Sequence, residues 1–299
     1  MEDGWVMRRG NTRGPAAFVW PAAMATAYAA VFVLVYYVSV RTVRGRVVSD
    51  ASLRGALLSG ASFQDTDAIL NIVSVGSLLG AVAVVAVIAL IRLDRVRGLA
   101  AIGVLVTANV ATRLLKEYVL VRPDLGLDEV GPATLNSLPS GHTTAAFSAV
   151  AALLIVLPAA WRVAAALLGG GFATLTALAT MFAGWHRTAD AMAGFLVVGV
   201  CTMVAISVVV AYASPRPHTQ ATVGLRWWVV VSAGALTLGS ALGLGLSTLS
   251  PVRDSLAGSL VAFLSAGLLI VGTVLGVLAG MLWVLQVTEA ETDQDDEPT

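Results

Sequence analysis

Charge and cysteine are what this chain has least of. Only 12% of its 299 residues are charged, where a soluble domain carries about 25%. The single Cys201 excludes an intrachain disulfide and a cysteine-built metal cluster. Lying in an apolar run, it reads as a small buried or lipid-facing hydrophobe. Lysine occurs once, at Lys116, and histidine three times, at His142, His186 and His218. Formal net charge is zero, so no basic surface argues for nucleic acid.

What fills the chain instead is hydrophobic: 58% of residues, with a mean hydropathy of +0.86. The apolar runs are too long for outer-membrane strands of about ten alternating residues. They predict an all-α polytopic membrane bundle of about eight transmembrane helices, near 16–40, 68–91, 98–118, 140–158, 163–182, 189–212, 228–249 and 256–286. A polar leader at 1–15 precedes this transmembrane domain of 16–286. No small-residue cleavage pattern follows the first span, which reads as an anchor. Residues 41–68 read as a loop of mixed charge, with Ser62 to Asp65 capping a short interfacial helix. The tail 287–299, with Glu289, Glu291, Asp293, Asp295, Asp296 and Glu297, reads as acidic and disordered. Eight spans put both termini on one side. With the termini inside, nine basic residues fall on inside loops and eight outside; without Lys116, Arg122 and Arg187 the division is nine to five. That favours cytoplasmic termini.

One short stretch stands out, Leu138-Pro139-Ser140-Gly141-His142-Thr143-Thr144, where a polar loop meets an apolar helix. Pro139 disfavours helix for the residue before it, and Ser140 is a good N-cap. Free N–H groups at Ser140, Gly141 and His142 would make a ready anion site along a favourable dipole. Span parity puts this stretch on the same membrane face as Gly184-Trp185-His186-Arg187-Thr188, two spans later. Lys116, Arg122, Ser140, His142, His186, Arg187 and Asp190 therefore gather at one face, and ionisable groups near membrane depth are costly. His186 and Asp190 are four apart and share a helical face if the helix includes His186. The carboxylate can then bond one ring nitrogen and leave the other free. Lys116 and Arg122 offer a point charge and a planar fork to phosphate oxygens. Trp185, Trp227 and Trp228 read as interfacial aromatics, and Asp124, Asp128 and Glu129 as a solvated loop face.

Lys116, Arg122-Pro123, Pro139-Ser140-Gly141-His142, and His186 with Asp190 resemble the three signature segments of the type 2 phosphatidic acid phosphatase (PAP2) superfamily. The resemblance covers about residues 98–212 and is to the membrane lipid phosphate phosphatases. It implies that His186 forms a phospho-histidine, that His142 is the general acid, and that no metal or other cofactor is needed. Two departures stand out. Five residues, Glu117 to Val121, separate Lys116 from Arg122, where the family usually has six. Ala179 and Thr180 occupy positions where the family usually has Ser-Arg, so a phosphate-binding arginine is missing. A one-residue change rotates a helix by about 100°, so Lys116 reaches a phosphate only if the helix end unwinds. Arg187 and Arg113 are the candidates to replace the lost charge.

The expectation is a metal-independent lipid phosphatase of a bacterial plasma membrane. Its site would be extracytoplasmic, acting on a polyprenyl diphosphate or a phosphatidate-type lipid. Two other readings remain: a phosphotransferase using the same intermediate, and a catalytically weak scaffold or lipid carrier. The partners expected are the lipid phosphate and membrane lipids. The spans beyond the family's usual six are candidates for a homodimer surface or a lipid lining.

Overall fold

A computed structural model of the chain describes residues 15–58, 75–127, 136–213, 225–248 and 255–294. After a 3₁₀ turn at Pro15–Phe18 come α1 (Val19–Arg41), α2 (Val43–Leu58), α3 (Val75–Ile91) and α4 (Arg95–Leu114). Then follow α5 (Gly141–Val156), α6 (Ala159–Phe182), α7 (Thr188–Tyr212), α8 (Leu225–Thr248) and α9 (Leu256–Gln294). The described residues contain no strand. Among the described residues, six helices are long and apolar enough to cross a membrane, and α3 and α5 are shorter apolar helices. The protein is an all-α membrane bundle, and each of the eight expected spans coincides with a helix.

The bundle is organised around α7. Its side chains are buried on every face along most of its length, as befits a helix apolar all round. It packs against α1, α4, α5 and α9. Phe195 of α7 meets Phe147 of α5 edge to face, with ring centroids 5.0 Å apart. The polar start of α7 is thereby held in the middle of the bundle's end, beside the start of α5 and the end of α4.

Two expectations are corrected. Residues 41–68 are not simply a loop, because α2 occupies 43–58 and is substantially buried. Its Arg46, Ser49, Asp50 and Ser52 are all buried, so this helix carries polar groups inward and lacks the apolar stripe that announces a buried helix. It crosses α9 closely: a Cβ placed on Gly55 would lie 2.0 Å from the Ser259 carbonyl oxygen, a contact only glycine permits. The tail also begins later than expected. α9 continues to Gln294, because Glu289 has a buried partner: Arg162 of α6 donates from both terminal nitrogens to its carboxylate, at 2.8 and 2.7 Å. Residues 1–14 of the leader, the 62–65 cap, Asp128, Glu129 and His218 lie outside the described residues.

The Arg162–Glu289 pair ties α6 to α9 with little solvent access on either side. Glu289→Ala strands a buried guanidinium and is expected to cost about 3 kcal/mol, read as a lower thermal midpoint in detergent. An unchanged midpoint would mean the pair carries no net stability.

Candidate functional site

The carboxylate of Asp190 is the centre of the site. Asp190 sits in the first turn of α7 and is 1% exposed. Its Oδ2 accepts from the Ser137 hydroxyl at 2.6 Å and the Arg187 backbone N–H at 2.9 Å. It also lies 3.2 Å from Nδ1 of His186. A buried carboxylate needs such donors to offset its lost hydration. An ionised carboxylate only accepts, so Nδ1 donates to it, and in the neutral ring Nε2 then presents its lone pair.

His186 reaches Asp190 by a different route from the one expected. The helix begins at Thr188 with Arg187 as its N-cap, so His186 precedes the helix and shares no helical face with Asp190. Instead Asp190, at the third helical position, reaches back to the Arg187 N–H in the manner of a capping-box acid, and the same oxygen meets the ring just beyond. The link that carries His186 turns at Gly184, whose φ of +73° suits glycine. The Trp185 and His186 N–H groups both donate to the Thr180 carbonyl, at 3.0 and 3.2 Å. Thr180, where the family has its arginine, is wholly buried and helps hold this turn.

Ser140 caps α5, its hydroxyl accepting from the Thr143 N–H and, at 3.0 Å, from the Thr143 hydroxyl. Its own N–H donates to the Asp190 carbonyl at 2.9 Å. The expected trio of anion donors is therefore reduced to Gly141 and His142, since the Ser140 N–H already serves to join α5 to α7. Open space lies in front of Gly141, where an added Cβ would meet nothing within 4 Å. His142 is half-buried, its ring centroid 5.6 Å from that of Trp185. Trp185 thus flanks the site, beyond the interfacial role expected of it. Lys116 and His186 both act electrostatically on the His142 ring.

At the end of α4 the chain widens into a π turn, Leu115–Val119, closed by the Leu120 N–H on the Leu115 carbonyl at 2.8 Å. Lys116 lies inside it. A π turn changes the angular advance per residue, which is the local unwinding that the short Lys116–Arg122 spacing called for. Asn136 fastens this turn, donating to the Lys116 and Leu120 carbonyls at 3.0 and 2.7 Å. Asn136 and Ser137 thus join the first segment to the third, and sequence reasoning missed both. Their only signal is position, as polar residues immediately before Leu138-Pro139-Ser140.

The two candidate replacement charges part company. Arg113 is largely exposed and is engaged by Glu117 at 2.9 Å. Arg187 is 1% exposed, and its Nε donates to Asp50 of α2 at 2.9 Å. Arg122 stands in the same cluster. Half-burial, then the charges of Arg187 and Arg46, hold its guanidinium below the usual arginine range, at about 10. It remains charged at neutral pH.

The described residues thus place an oriented imidazole beside clustered cations, with open space at a helix mouth. The family model for the PAP2 superfamily matches residues 97–215, from α4 to just past α7. No curated protein and no solved structure matches the chain. The match suggests a phosphatase-type membrane protein.

Ser137→Ala removes a hydrogen bond to a buried carboxylate and nothing else of size. It is expected to destabilise the protein by about 1.5–3 kcal/mol, read by thermal unfolding in detergent. No change would show that Asp190 is held without it.

Proposed function

We propose that the protein is an integral-membrane lipid phosphate phosphatase working through a phospho-histidine at His186, with its site on the extracytoplasmic face. The observation that carries this reading is the His186–Asp190 pair, 3.2 Å apart and buried, beside the cluster of Arg122 and Arg187. His186 Nε2 attacks phosphorus in line, forming the N–P bond as the P–O bond to the lipid breaks. Asp190 stabilises the imidazolium that develops. Lys116, Arg122 and Arg187, with the Gly141 and His142 N–H groups, take the equatorial oxygens, and such charge stabilisation is most of phosphoryl-transfer catalysis. His142 protonates the departing oxygen and then deprotonates the water that cleaves phospho-His186, releasing phosphate.

A lipid substrate is favoured over a soluble ester by what surrounds the site. A cavity of about 560 Å³ lies between α1, α2, α7, α8 and α9, lined by Val48, Ser52, Thr188, Met192, Leu244 and Leu269 among others. Thr188 is two residues from His186, and the lining is mostly apolar, suited to a hydrocarbon chain. α5 is 16 residues long, about 24 Å against a hydrocarbon core of about 30 Å. The His142 end of α5 would then lie near headgroup depth.

The test is phosphate release in detergent with EDTA from a panel of polyprenyl diphosphate, phosphatidate and phosphatidylglycerol phosphate. His186→Ala is expected to abolish release, His142→Ala to slow it by about 10²–10⁴-fold, and orthovanadate to inhibit the wild type. Release at the wild-type rate from His186→Ala would overturn the mechanism. Label passing to an added lipid alcohol instead of to water would make the protein a phosphotransferase.

A further inference from the structure

The matched segment begins at residue 97, yet the charges around its phosphate site are arranged from outside it, by α2. Arg46 and Asp50 are one turn apart on that helix and so share a face. Both are buried, at 2% and 5% exposure. Arg46 donates through Nε to the Val40 carbonyl at 2.8 Å and through a terminal nitrogen to the carbonyl of Pro123, the residue after Arg122. Asp50 accepts from Nε of Arg187, the residue after His186, at 2.9 Å, and its Oδ1 lies 2.8 Å from an Arg187 terminal nitrogen. The Ser52 and Thr188 hydroxyls meet at 3.3 Å a half-turn further along. One face of α2 therefore touches both chain segments that deliver guanidiniums to the site.

Arg46, Arg122 and Arg187 repel one another across the cluster, offset by Asp50, by Asp190 and, at Arg46, by Asp124. Asp190 is already engaged by His186, Ser137 and the Arg187 N–H. Buried like charges are costly unless an anion joins them. Thr180, meanwhile, offers no cation where the third segment usually supplies one.

We propose that Arg46 and Asp50 of α2 are positioning residues that hold Arg122 and Arg187 as a two-guanidinium grip on the substrate's phosphate, replacing the arginine missing from the third segment. The grip rests on the phosphatase reading for its substrate, but its chemistry is simply that of a phosphate dianion or its vanadate mimic. Asp50 acts through Arg187, and Arg46 acts through the Pro123 carbonyl on Arg122.

The experiment is a double-mutant cycle on the full chain in detergent with Asp50→Ala, Arg187→Ala and both together. Orthovanadate affinity is read from vanadate-dependent thermal stabilisation, and KM and kcat from lipid phosphate hydrolysis. Asp50→Ala and Arg187→Ala are each expected to weaken vanadate about tenfold or more and to raise KM. The double variant should be no weaker than Arg187→Ala alone, because Asp50 works through that side chain. Asp50→Asn, which keeps an acceptor for Nε, should recover part of the loss, and it stands in if Asp50→Ala does not fold. Wild-type vanadate affinity in both Asp50 variants, or losses that multiply in the double variant, would overturn the proposal, as would a wild type that vanadate does not stabilise. Vanadate binding needs no turnover, so the two readings fail separately. A wild type without hydrolysis but with Asp50-dependent vanadate binding would sink the phosphatase and keep the grip. Hydrolysis with Asp50-independent binding would do the reverse.

Discussion

Everything at this end of the molecule depends on satisfying one buried carboxylate. Asp190 lies at the mouth of the most enclosed helix, where an unpaired charge is strongly unfavourable, and its Oδ2 is met by three groups from two parts of the chain. Ser137 brings the segment before α5. The Arg187 N–H closes the start of α7, and His186 is set in orientation by the same oxygen. The backbone carbonyl of Asp190 takes the Ser140 N–H, so the cap of α5 is fixed by the same residue. The need to satisfy this group thus assembles the histidine, the helix mouth and the loop between them.

The cations are managed in the opposite way. Arg122 and Arg187 are brought close enough to oppose one another's charge, and α2 restrains them through Asp50 and the Pro123 carbonyl. In the proposed grip the electrostatic cost is carried before any anion arrives, which is the preorganisation that phosphoryl transfer uses. α2 is itself held by a glycine crossing with α9, outside the matched segment, and by a hydroxyl contact with Thr188, inside it. The helices added around α4–α7 are therefore continuous with the site rather than peripheral to it.

Much was legible in advance because membranes simplify sequences. Long apolar runs mark spans whatever their neighbours do, and Pro139-Ser140-Gly141-His142 marks a capped helix mouth through local chemistry alone. The spacing of Lys116 and Arg122 made the reach of Lys116 depend on an unwound end to α4, and that end is a π turn. The misreadings share a cause. α2 was read as a loop because its inward residues include Arg46, Ser49, Asp50 and Ser52, polar groups whose partners lie on other segments. The helix through 287–294 was hidden in the same way, since Glu289 looks like solvated tail until Arg162 is beside it.

By itself, then, the sequence determined the all-α membrane fold, the face on which the polar segments meet, and the residue types available for phosphate chemistry. Those follow from hydropathy, span parity and short motifs, which depend on neighbours along the chain. Tertiary structure alone decided which charge answers which. It bound Arg187 to Asp50 across 137 residues, took the Ser140 N–H away from any ligand, and left Arg113 at the surface with Glu117. The physical reason is that a buried charge is settled by whichever partner packing brings within about 3 Å, and packing is not written in any one stretch of chain.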